Sequence, residues 1–224
     1  MTIIQTTIRL LTFRITREEI LQFNVRHFVF GLCGTWLVGM GRYWDDPRAS
    51  VLQHLGIGSV IYIFILAGFI WLILKPYYIE NWNYFTVLTF ISLTSFPAIL
   101  YAIPVEYFFS NENANIMNVL FLAIVACWRL GLLYYFLKRF TGLSRSQIFV
   151  VTLMPICLII STLAILNLDR VVFNLMAGIR QPSSHDYSYF VLLILSFFSY
   201  FLLPFLLTLY GVGIYERYKI RKKH

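Results

Sequence analysis

Phe64-Ile-Leu-Ala-Gly-Phe-Ile-Trp-Leu-Ile-Leu74 decides the architecture of this chain. The run carries no charge, no proline and no alternation of polar with apolar positions. A strand of a membrane barrel alternates apolar and polar residues over about 10 positions. Lipid offers the backbone no hydrogen bonds, so helices and closed barrels are the two permitted spanning forms. An unbroken apolar run selects the helix.

Reading outward, the run belongs to a segment from His54 to Leu74 that closes on Lys75-Pro-Tyr-Tyr78 and Trp82, a basic and aromatic boundary of the interfacial kind. Comparable segments lie at about 27–43, 84–103, 116–137, 147–166 and 187–211. The 224 residues are 59% hydrophobic and 12% charged, against roughly 45–50% and 25% in soluble domains. A crossing takes roughly 20 residues, so these segments leave no room for a separate soluble domain. The expected fold is an all-α polytopic transmembrane bundle of about six helices. Residues 1–26 form an amphipathic arm, 27–212 the bundle and 213–224 a basic tail.

The arm places Ile4, Ile8, Leu11 and Ile15 at helical spacing with Arg and Thr between them, as in a helix lying on a membrane surface. A short strand over Phe13–Ile15 is the competing reading. Thr16-Arg-Glu-Glu19 fits a capping box and predicts a new helix there. Pro97 and Pro104 predict a kinked third crossing whose freed carbonyls need partners.

Orientation follows from the basic residues. With both termini inside, thirteen of the 18 Lys and Arg lie on the inner side and four outside, with Arg129 inside a crossing. This predicts cytoplasmic termini in an inner membrane. The net charge of +8 is therefore assigned to topology and anionic headgroups, with no nucleic-acid partner expected. Cys33, Cys127 and Cys157 lie in apolar segments and read as small hydrophobes. No metal-ligand spacing or cofactor motif is present.

Four features stand out as candidate sites. Arg129 lies within the fourth crossing, where an ionised side chain costs at least about 2.5 kcal/mol; it reads as an anion contact or as a structural ion pair. Glu106, directly after Pro104-Val105, is the partner its charge suggests. Arg42, Asp45, Asp46, Arg48 and His54 cluster in the connection between the first two crossings. That cluster reads as helix capping and salt bridging, with Asp-Asp-Pro47 opening a helix, or as a headgroup or divalent-cation site. Gly31, Thr35 and Gly39 form a small-residue stripe for close helix packing, within the chain or between copies. No Gly-x-Ser-x-Gly or His-Glu-x-x-His motif occurs.

Gly34-Thr-Trp-Leu-Val-Gly-Met-Gly-Arg-Tyr-Trp-Asp-Asp-Pro47, Ile99-Leu-Tyr-Ala-Ile-Pro-Val-Glu106, Ala123-Ile-Val-Ala-Cys-Trp-Arg129 and Val172-Phe-Asn-Leu-Met-Ala-Gly-Ile-Arg180 resemble a group of uncharacterised bacterial multi-pass inner-membrane proteins. More loosely, the compact bundle and its proline-containing third crossing are similar to the Yip1-type membrane family. The second resemblance implies a role in membrane organisation or trafficking without catalysis. The expected function is a non-enzymatic bundle that contacts lipid, a membrane partner or a second copy. The alternatives are a small transporter or channel lined by Arg129 and Glu106, and a lipid-modifying enzyme using Asp45, Asp46 and His54.

Overall fold

The computed structural model describes residues 2–47, 49–177 and 187–222. Among the described residues every regular element is a helix: α1 Ile3–Leu11, α2 Arg17–Leu21, α3 Val25–Gly41, α4 Val51–His54, α5 Ile57–Leu74, α6 Tyr84–Leu93, α7 Asn111–Phe140, α8 Arg145–Ile165, α9 Asp169–Ala177 and α10 Tyr187–Arg221. The Phe13–Ile15 segment forms a turn rather than a strand, with Phe13 at φ 59°. The turn expected at Gln181-Pro-Ser-Ser184 lies outside the described residues.

Among the described residues, five segments are long and apolar enough to cross a membrane: 57–77, 84–107, 111–140, 145–165 and 190–221. The first expected crossing is shorter. α3 has 17 residues, which at 1.5 Å per residue spans about 26 Å against a hydrocarbon core of about 30 Å.

The chain separates into two compact units, residues 1–103 with 127–144, and residues 104–126 with 145–224. In the first unit α3 packs on α5 and α6. The small residues of α3 set that approach. A Cβ on Gly31 would run into Ser92 Oγ, and one on Gly39 would lie 2.8 Å from Ser59 Cβ. Thr35 Oγ1 bonds the Gly31 carbonyl at 2.8 Å and the Ser92 carbonyl at 3.3 Å.

α6 stops at Leu93, and the chain continues as a 3-10 turn over Phe96–Ala102 that carries Pro97. Hydroxyls take up carbonyls at the break: Ser92 bonds Thr89 O at 2.8 Å, Thr94 bonds Ile91 O at 3.0 Å and Ser95 bonds Ile91 O at 3.3 Å. Serine and threonine can do this without leaving the hydrocarbon.

An aromatic stack joins α6 to α7. Phe136 lies 4.1 Å from Phe90 and 5.5 Å from Phe140, centroid to centroid, and is fully buried. Between two membrane helices this contact is packing rather than water exclusion. Phe136→Ala should therefore cost about 3 kcal/mol, the lower end of the range for emptying a Phe site in a soluble core. Unfolding in mixed detergent micelles reads that loss, and a midpoint equal to wild type would contradict it.

In the second unit α8 packs along α10, with α9 against both. Pro155 and Pro204 interrupt their ladders, and Thr152 and Thr208 return hydroxyls to the carbonyls of Ile148 and Pro204 at 2.8 and 2.9 Å. Gln147 Nε2 donates to Glu216 Oε2 at 3.3 Å, tying the tail to the start of α8.

Candidate functional site: a paired-arginine cluster

The connection between α3 and α5 is held by two indoles. Trp36 Nε1 donates to the Leu55 carbonyl at 2.8 Å, and Trp44 Nε1 to the Ala102 carbonyl at 3.0 Å. α4 opens on Ser50, whose hydroxyl accepts from Gln53 N at 3.4 Å while Gln53 Oε1 accepts from Ser50 N at 2.8 Å. Ser50 thus fills the capping role that Asp45-Asp46-Pro47 suggested. The aspartates sit instead in a turn closed by Asp46 N donating to Tyr43 O at 3.2 Å. Arg48 lies outside the described residues. His54 ends α4 and is half-buried. Among the described residues no three of His, Cys, Asp and Glu are grouped to hold a metal ion, so Asp45, Asp46 and His54 do not assemble one.

Side chains from the end of α3, from α5, from α7 and from the 96–102 turn bring together residues far apart in sequence. The Arg42 guanidinium lies over the Tyr101 ring at 4.8 Å and near the Tyr43 ring at 5.6 Å. The Arg129 guanidinium lies over the Tyr62 ring at 5.8 Å. Tyr101 is within electrostatic reach of both guanidiniums and of Tyr62. Tyr62 stands five positions after Ile57, about 8 Å along α5 from its first residue. Arg129 therefore shares the end of the unit that carries the Arg42 connection.

A desolvated cation–π contact contributes about 2 kcal/mol, close to the minimum of about 2.5 kcal/mol for an arginine at this position in a crossing. Tyr62 can offset most of that cost. It cannot accept hydrogen bonds from the whole fork. Arg129 Nη2 is shut off from solvent and has no hydrogen-bond partner among the described residues. A buried guanidinium donor in that state favours an acceptor with negative charge.

Glu106 belongs to the second unit, where it accepts from Asn118 Nδ2 at 2.9 Å. Gly31, Thr35 and Gly39 line the α3 seam described above. At the arm, Glu18 is held below its ordinary pKa by its own backbone N–H at the start of α2, then by the Thr16 hydroxyl. That contribution is present above the ordinary carboxylate pKa and is lost as pH falls through the lowered value.

Sequence reading passed over Tyr62 and Tyr101. The one signal for Tyr62 is a phenolic hydroxyl inside the otherwise apolar Val60–Leu66 run; Tyr101 has none beyond lying between two prolines.

These features define a polytopic α-helical integral membrane protein with a cationic, aromatic site in its first unit. The chain belongs to the family defined by the Yip1 domain, whose model matches residues 20–166 and so takes in Arg42, Tyr62, Tyr101 and Arg129. Among curated proteins and among solved structures nothing matches the chain.

Proposed function

We propose that this protein is a non-enzymatic bundle that binds the phosphate of an anionic membrane lipid between Arg42 and Arg129. The supporting observation is the buried Arg129 Nη2, without a hydrogen-bond partner among the described residues, in a cluster that a second guanidinium shares through Tyr101. A phosphate oxygen supplies the missing acceptor, and the planar forks of two arginines suit it. The basic-residue asymmetry supports both termini lying in the cytoplasm of an inner membrane, and on that reading the lipid comes from the opposite leaflet. The headgroup meets a side chain about 8 Å below the helix end, a distance that arginine's length spans.

Native mass spectrometry of the protein released gently from its own membrane tests this reading. The expected result is one phospholipid per chain, lost in Arg129→Leu while the variant stays folded. An inorganic phosphate adduct that washes out on dialysis would replace lipid by free anion. A bare wild-type chain, or one carrying only a second protein subunit, would overturn the proposal.

A further inference from the structure

The N-terminal helix carries its own evidence, independent of the arginine cluster. An amphipathic helix on a protein surface turns its isoleucines inward and its threonines to water. α1 does the reverse. Thr6, Thr7 and Leu10 are buried, while Ile4 and Ile8 are 60% and 54% exposed.

The hydroxyls of α1 are spent on its own backbone. Thr6 bonds Thr2 O at 3.2 Å, Thr7 bonds Ile3 O at 2.9 Å and Thr12 bonds Ile8 O at 2.8 Å. Arg9, the one charged side chain of α1, meets Glu19 at 3.1 Å and donates through Nη2 to the Arg14 carbonyl at 3.1 Å. The threonine hydroxyls are satisfied within the segment, which hydrocarbon demands of a helix and water does not, and the Arg9 charge is met by Glu19 of α2.

The depth of the arm comes from its anchors on α7. Trp128 Nε1 donates to Leu11 O at 3.1 Å, and Tyr135 Oη donates to Ile15 O at 3.3 Å. Phe13 packs edge-on to the Tyr135 ring at 5.8 Å, and a Cβ on Gly131 would meet it at 3.3 Å. From Trp128 to Lys138, the next charged residue of α7 after Arg129, the helix rises about 15 Å, half the thickness of a hydrocarbon core. Side chains on a helix lean toward its N-terminus, so the indole points further from that end.

We infer that α1 is embedded in the membrane: it enters the hydrocarbon as a re-entrant helix, docks on α7 through Trp128 and turns Ile4 and Ile8 to lipid acyl chains. The family match begins at Ile20, beyond α1.

The test uses the full chain with Cys33, Cys127 and Cys157 replaced by alanine, reconstituted in phosphatidylcholine–phosphatidylglycerol vesicles. A nitrobenzoxadiazole probe is attached at Ile8→Cys, with Ile4→Cys as the second position should the first fail to fold. Lys219→Cys in the tail is the water-exposed reference. Embedding predicts blue-shifted emission at positions 4 and 8, protection from aqueous iodide and strong quenching by mid-chain nitroxide lipids. Emission and iodide quenching matching the Lys219→Cys probe would overturn the inference. Blue-shifted emission that nitroxide lipids leave unquenched would also overturn it, because the face would then be covered by protein.

Discussion

Gly56→Ala should cost the first unit about 2–5 kcal/mol, enough to abolish folding in many membrane proteins. Gly56 precedes α5 with φ +67°, where an L-residue loses about 1–2 kcal/mol. The added Cβ would also lie 2.7 Å from Trp36 O and 2.8 Å from Met40 N. Both are backbone atoms of α3 and cannot swing aside, so an overpacking cost of about 1–3 kcal/mol adds to the conformational one. Gly58→Ala is the matched control, since nothing lies within 4 Å of its Cβ. Thermal aggregation in detergent, read beside that control, should show a large fall for Gly56→Ala and almost none for Gly58→Ala. Equal midpoints would mean that α3 can withdraw from the Gly56 turn.

The helices were legible because lipid leaves few options. A run such as Phe64–Leu74 can satisfy its backbone only by coiling, and its length sets how far it reaches. Breaks were legible where chemistry forces them, as at Pro97 and at the Thr16 capping box. α3 has the 17 residues expected of 27–43 but sits two positions earlier, because Asn24 caps its start and the apolar residues past Gly41 carry no helix. The spacing of Ile4, Ile8 and Leu11 names an apolar face, but periodicity cannot say whether that face meets protein or lipid.

The arginine cluster was half legible. Composition alone singles out Arg129, since a charge in a crossing must be explained, and density singles out Arg42. Their common neighbourhood depends on α7 lying against α5 and on the 96–102 turn returning toward α3. No local pattern encodes either. A tyrosine ring is a partner that charge counting does not find.

Removing either arginine should weaken lipid retention about as much as removing both. If Arg42 and Arg129 hold one phosphate, truncating either leaves an incompletely paired buried charge, a loss of about 2–5 kcal/mol at such sites. The second truncation then removes a contact that is already lost. Arg42→Gln and Arg129→Gln should each reduce lipid occupancy by about 30-fold or more, and the double variant should fall well short of the product. A coupling of about 0.5–3 kcal/mol is the scale for side chains sharing one partner. Lipid titration into delipidated protein, followed by native mass spectrometry, measures all four corners of the cycle. Arg129→Lys should recover little, because an ammonium keeps the charge but loses the planar fork and the stacking on Tyr62. Tyr62→Phe keeps the ring and should bind nearly as wild type, whereas Tyr62→Leu should not. Strictly additive losses at positions 42 and 129 would assign the two guanidiniums to separate ligands. The shared phosphate would then be wrong even if lipid remained bound, because the electrostatic reach of Tyr101 to both arginines would be proximity without a common partner.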